Sequence, residues 1–143
     1  MGNIVSAKKI ADTLTSDGRK TTANTVESYI QALKDAFILY EAGRYDIKGR
    51  QFLKSLEKYY VVDVGLRSLI MGERTRDLGH ILENLVYLEL IRRGYQVYIG
   101  KVGNLEVDFI AEKNGEKIYY QVAATILDPA TYEREFAPLK AIP

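Results

Sequence analysis

The sequence predicts a mixed α/β (α+β) fold built in two parts. Segments with apolar residues at three- and four-residue spacing alternate with short runs rich in Tyr, Ile, Val and Phe, the signatures of amphipathic helices and of strands. Asn114-Gly115 lies between two strand-like runs, as a tight hairpin requires. With 143 residues, 47% apolar and 27% charged, the chain suffices for one ordinary domain or two small ones, and it is apolar enough for a packed core.

Ser6 is placed to cap a short helix over about 7–14, with Ile10 and Leu14 at helical spacing. Residues 15–20 read as a turn around Gly18. Thr21 or Thr22 opens a longer helix to about Asp35, in which Val26, Tyr29, Ile30 and Leu33 form one apolar stripe. Residues 37–40 read as a strand, followed by a polar stretch with Gly43 and Gly49, and residues 59–64 read as its partner. A short helix over 64–70 and a loop over 74–77 follow. The helix over 78–93 carries Ile81, Leu82, Leu85, Val86, Leu88, Leu90 and Ile91 on most of its faces, so burial against neighbours is expected. Gly94 ends it, and strands are expected at 95–99, 105–110 and 117–124. Asp128 and Pro129 start a last helix over about 130–140.

Helix, turn, helix and a hairpin with a long basic loop is the order of a winged helix, which assigns residues 1–66 to a winged-helix-like module. The second helix takes the position that DNA-binding members use for recognition, and it shows Asn24, Glu27, Ser28, Gln31 and Lys34. The loop adds Arg44, Lys48, Arg50, Lys54 and Lys58. If nucleic acid binds, Lys34, Arg44, Lys48 and Arg50 are the candidate phosphate contacts. Residues 67–143 form the second module.

Composition excludes several classes. The chain has no cysteine, hence no disulfide, thiolate metal site or cysteine nucleophile, and a single histidine, His80, argues against zinc. No stretch approaches the length of an apolar membrane span and no basic-then-apolar start marks a signal peptide, so no membrane partner and a cytoplasmic location are expected. The net charge is +1, split between ten basic and seven acidic residues over 1–60 and ten basic and twelve acidic over 61–143. Gly18-Arg19-Lys20-Thr21 resembles the end of a phosphate-binding loop but lacks the earlier glycine and a preceding buried strand. Most of the eleven tyrosines sit beside apolar neighbours, as core or interface residues do.

The chemistry-bearing residues lie in the second module. Strand alternation places Glu106 and Asp108 on one face, Val107 and Phe109 on the other, and Tyr119, Gln121 and Ala123 together on the next strand. Asp108 and Gln121 can then meet beneath Glu83 of the apolar helix. Two carboxylates and an amide are hard oxygen ligands suited to Mg²⁺ or Mn²⁺, which would activate water and neutralise a phosphodiester.

The helix–strand segment from Asn24 to Leu39, the run over 79–90, Glu106-Val107-Asp108-Phe109 and Tyr119-Tyr120-Gln121-Val122 resemble, in that order, the C-terminal domain of unknown function of prokaryotic AAA-type ATPases, whose second part is similar to the PD-(D/E)xK nuclease fold. The resemblance covers nearly the whole chain. It implies that Glu83 stands for the helix glutamate, Asp108 for the metal-binding aspartate, Gln121 for an acidic or amide ligand, and Ala123 for the catalytic lysine. Alanine can neither orient water nor stabilise a developing oxyanion, and neutral Gln121 holds a divalent cation less well. Lys117, four residues before Gln121, lies ~13 Å away along an extended strand. The resemblance also implies an ATPase module upstream, through which alone ATP would bind, and a further strand after the last helix. The chain is therefore expected to be a truncated piece of a longer ATPase, with an exposed sheet edge open to self-association.

Three functions follow as expectations. The first is a non-catalytic or degenerate nuclease-like interaction or effector module of an AAA-type ATPase, with no cofactor of its own. The second is an active metal-dependent DNA nuclease with Lys101 or Lys113 as a relocated lysine, and the third is DNA binding through the winged-helix-like part.

Overall fold

The computed structural model describes residues 6–71 and 78–143. Its elements run α1 (Ala7–Ser16), α2 (Ala23–Asp35), β1 (Leu39–Asp46), β2 (Gln51–Val61), α3 (Val64–Met71), α4 (Leu78–Arg92), β3 (Gln96–Val102), β4 (Leu105–Lys113), β5 (Glu116–Tyr120) and α5 (Pro129–Lys140). The mixed α and β class holds. Helix starts follow the capping chemistry: Ser6, Thr22 and Asp128 each accept a hydrogen bond from the backbone N–H three residues on. The β4–β5 turn puts Asn114 and Gly115 at φ of 55° and 81°, the left-handed pair that a two-residue hairpin uses.

The strands form one mixed sheet in the order β2-β1-β3-β4-β5. Neighbours are antiparallel except β1 and β3, which run parallel with Arg44 opposite Ile99. Strands from both sides of residue 66 thus share hydrogen bonds. On one face of the sheet, α4 covers Ala42, Tyr60, Val97, Ile99, Phe109 and Ala111. On a second core, Ile47, Val102, Val107 and Ile110 pack with Tyr45 and with Leu139 and Ile142 at the end of α5.

Four expectations need correction. The long basic loop is mostly strand: β1 continues to Asp46 and β2 begins at Gln51, so Arg44, Lys54 and Lys58 lie on strands and the turn holds only Lys48 and Arg50 of the named cations. Gly43 does not stop β1, because the β1–β2 ladder absorbs the irregularity as a register shift between Ala42 and Arg44. The last strand ends at Tyr120, leaving Gln121 and Ala123 in the connection to α5. Phe109 packs with α4 while Val107 belongs to the other cluster, so the two do not share a face. Tyr98 pairs with Ile110 and Gly100 with Val107, so β4 carries one extra residue, and that bulge turns Phe109 to the side of Asp108. Helix α4 is not buried all round either, since Leu78 and Leu85 remain about half exposed. The loop expected at 74–77 lies outside the described residues.

An aromatic cluster joins α4 to the sheet. Tyr60 and Tyr87 stack with centroids 4.1 Å apart, and Phe109 packs at 5.7 Å from Tyr60 and 5.9 Å from Tyr87. All three are essentially inaccessible to solvent. Beside them, the buried Asn84 accepts from the N–H of Val61 and donates to its carbonyl, both at 2.9 Å. Val61 lies on edge strand β2, so this amide pairs backbone groups that no sheet neighbour reaches.

Asn84→Ala is expected to leave both Val61 groups buried and unpaired and to destabilise the fold by about 3 kcal/mol. Urea unfolding checks this through a lower midpoint at unchanged slope. At Gly100 an added Cβ would lie 2.9 Å from Val107 Cβ and 3.2 Å from both Ile110 and Ile47 side chains. Gly100→Ala is therefore expected to cost about 1–3 kcal/mol, read as a fall in melting temperature.

Candidate functional site

The α4–β2 contact sets the site's geometry. Asn84 and Tyr87 dock α4 on β2 and on the aromatic cluster, which turns Glu83 of the preceding position toward the same strand. There Tyr60 donates its hydroxyl to Glu83 Oε1 at 2.6 Å, and Lys58, two residues earlier on the same strand face, places Nζ 3.2 Å from the same oxygen. Lys58 is only 4% exposed. It stands opposite Ala42 on β1, whose small side chain leaves room for the lysine stem to run across the sheet. Its ammonium reaches Glu106 Oε1 on β4 at 2.6 Å, while Arg44 Nη2 approaches the other Glu106 oxygen at 3.9 Å. Three intervals between β2 and β4 amount to ~14 Å, which the lysine and glutamate side chains bridge between them.

Asp108 sits at the β4 bulge beside this cluster. Its Oδ2 accepts from Val122 N–H at 2.8 Å, and its own N–H donates to Gln121 Oε1 at 3.3 Å. Burial pushes the Asp108 carboxyl up to about 6; the Val122 hydrogen bond and Lys58 oppose this, and the charges of Glu83 and Glu106 reinforce it. Burial by itself would lower the Lys58 ammonium, but the adjacent Glu83 and Glu106 carboxylates outweigh it and hold the group above its ordinary value. Burial, then Glu83, pushes the Tyr60 hydroxyl far upward, so it serves as a neutral donor. The result is a protonated lysine held between two carboxylates, with a third carboxyl raised to about 6.

The structure thus gathers Glu83 and Asp108 in one electrostatic neighbourhood and ties Gln121 to Asp108. It directs the Gln121 amide nitrogen to Glu135 Oε2 of α5 at 3.3 Å, which makes Gln121 a link between β4 and α5. Ala123 follows in the β5–α5 connection. These residues as placed do not fit a divalent ion: among the described residues no group of three or more His, Cys, Asp or Glu converges as a metal site, and Lys58 already occupies the gap between Glu83 and Glu106. Lys113 is engaged elsewhere, with Arg93 O at 2.8 Å, and Lys101 is paired in the ladder with Glu106. Among the proposed phosphate contacts, Lys34 forms an ion pair with Glu41 and Arg44 faces Glu106, while Lys48 and Arg50 are exposed in the β1–β2 turn.

Sequence reasoning placed Lys58 in a loop and did not single out Tyr60 or Asn84. One signal was available: Lys58 lies two residues before Tyr60 in a strand-like run, so it shares the face of a core aromatic.

The raised Asp108 group makes a pH prediction. Its folded value of about 6 exceeds the ordinary 3.8, so between those values the folded protein holds the proton more tightly than the unfolded chain. Stability from this group is therefore full below about pH 4, falls as pH rises, and the cost is complete above about pH 6. Asp108→Asn removes the titration while keeping an acceptor for Val122. Its stability relative to the parent is expected to increase from pH 4 to pH 7 by up to about 3 kcal/mol, measured as the difference between paired urea titrations.

Residues 1–77, just over half of the chain, match the family described as Domain of unknown function (DUF8612). An uncharacterized protein of Haemophilus influenzae is 44% identical over 126 residues, which cover 88% of this chain and 32% of that protein. An uncharacterized protein of Methanocaldococcus jannaschii is 33% identical over 112 residues, covering 76% of this chain and 24% of that protein. The chain accordingly spans a third or less of the length of these relatives. No solved structure matches it. No helix among the described residues is long and apolar enough to cross a membrane. With its family match running through α1, α2, the hairpin that carries Lys58 and α3, the chain belongs to the DUF8612 family.

Proposed function

We propose that this chain is a nuclease-like module without cleavage activity, serving as an interaction or effector part of a longer cytoplasmic AAA-type ATPase. The observation that carries this reading is the Lys58 ammonium lodged between Glu83 and Glu106. A divalent ion at the nuclease-like position would need Glu83 together with Asp108, and here an internal cation and the Tyr60 hydroxyl already satisfy Glu83. The order α4, β3, β4, β5, α5, with Glu83 on the helix, Asp108 on β4 and Gln121 after β5, supports the nuclease-like comparison. Ala123 in the lysine position supports the loss of activity. The ATPase context rests on the sequence resemblance and accords with relatives about three to four times longer than the matched region.

A second reading has one observation in its favour. Lys58 is a buried lysine beside Glu83, Glu106 and Asp108, so it could be the relocated catalytic lysine of an active nuclease. The α2 surface gives less support to DNA binding, because Glu27 and Asp35 interrupt it and Lys34 is paired with Glu41.

Plasmid nicking in Mn²⁺ by the parent chain, Asp108→Ala and Lys58→Met separates the two. The expected result is no nicking by the parent above the Asp108→Ala background. Nicking by the parent that disappears in both folded variants would overturn the non-catalytic reading in favour of the second.

A further inference from the structure

We propose that one flank of α2, formed by Tyr29, Ala32, Leu33 and Ala36 and continued by Phe37, is a docking surface for a partner protein's apolar segment flanked by lysine or arginine. The surface is separate from the carboxylate cluster and stands whether or not that cluster cuts.

Residues 29, 32, 33 and 36 follow the three-and-four spacing that marks a buried helix face, yet this face is open. Tyr29 is 64% exposed, Leu33 38% and Phe37 71%, and both alanines are exposed. Val26, one turn before Tyr29 on the same stripe, is buried, so the stripe opens to solvent toward the C-terminal end of α2.

Phe37 adds an independent observation. Its φ of 56° is left-handed, a conformation in which a β-carbon crowds the following carbonyl oxygen. The position is the residue after the α2 cap: Phe37 N–H donates to Lys34 O and Ile38 N–H to Leu33 O, both at 2.9 Å. The same pair of bonds closes α4, from Gly94 to Ile91 O and from Tyr95 to Leu90 O, and there the left-handed residue is a glycine at φ 79°. The chain therefore holds a large exposed aromatic side chain, at a cost, in a place where it elsewhere uses glycine. Strain and exposure at one aromatic residue are what a binding anchor shows.

Charge selects the partner. Asp35 lies in the last turn of α2, at the negative end of the helix dipole, and accepts a hydrogen bond from Gln31 at 2.7 Å. A carboxylate there gains from a cation brought by a partner. A nucleic-acid backbone, itself anionic, would be repelled by Asp35.

Fluorescence anisotropy with two labelled helical peptides of about 18 residues tests the proposal, one patterned from Leu and Lys and one from Leu and Glu. The parent chain is expected to bind the Leu/Lys peptide and not the Leu/Glu peptide. Phe37→Gly and Asp35→Lys are expected to weaken that binding at least about tenfold, as loss of an anchor does. Phe37→Gly should at the same time melt higher than the parent, because glycine relieves the left-handed strain, which separates lost docking from lost folding. Absence of Leu/Lys binding, equal binding of both peptides, or unchanged affinity in Phe37→Gly would overturn the proposal. So would sedimentation showing a dimer that Phe37→Gly disperses, since that places a second copy on the surface.

Discussion

The side-chain amide of Asn84 takes the place that another strand would fill along the outer edge of β2. It meets both the N–H and the carbonyl of Val61, so the helix closes the edge that would otherwise carry buried unpaired groups. That contact fixes which side of α4 faces the sheet. With Asn84 held, Tyr87 one turn later lies on Tyr60, and Glu83 meets the Lys58 and Tyr60 side chains of the same strand. The core and the charged cluster are thus consequences of one docking geometry. A rotation of α4 that removed the amide contact would also unstack the aromatic pair and strand the lysine.

The cluster is a choice between electrostatic costs. A buried ammonium is expensive alone, and so is each carboxylate, but contacts at 2.6 Å and 3.2 Å let Lys58 offset Glu106 and Glu83 together. One lysine and the more distant Arg44 face three carboxyl groups, so the third, Asp108, meets a surplus of negative charge. Protonation answers that surplus, which is why burial and the two glutamates move Asp108 in the same direction. An ion-pair network of this kind has weak net value for stability compared with apolar packing. It does specify position, because neither glutamate can shift without leaving the lysine underpaired.

Much of this was legible in the sequence, for reasons that differ by element. Local chemistry marked Ser6, Thr22 and Asp128 as helix starts, Gly94 as a helix end and Asn114-Gly115 as a turn, since each depends only on near neighbours. Alternation failed at β4 because a bulge inserts a residue exactly where the site lies, moving Phe109 to the side of Asp108. Glycine and charge made the stretch from Gly43 to Lys58 look like a loop, whereas sheet pairing with β3 and the aromatic contacts of Tyr45 and Phe52 hold all but the turn between Asp46 and Gln51 as strand. The carboxylates Glu83 and Asp108 could be found from their positions in apolar segments. Lys58 could not be assigned to them, because its partners come from α4 and β4, more than twenty residues away, and only the strand order brings them together.

That strand order also bears on the family region. Residues 1–77 contain β1, β2 and the lysine, but the acceptors of that lysine and the parallel neighbour of β1 come after residue 77. Taken alone, the region would expose the β1 edge that pairs with Ile99, Gly100 and Lys101 and would leave Lys58 without Glu83 and Glu106. The hairpin and the following helix–strand segment therefore supply complementary halves of one sheet and one charged cluster. A change in either half, whether in the reach of Lys58 or in the docking of Asn84, alters the environment of Asp108 in the other.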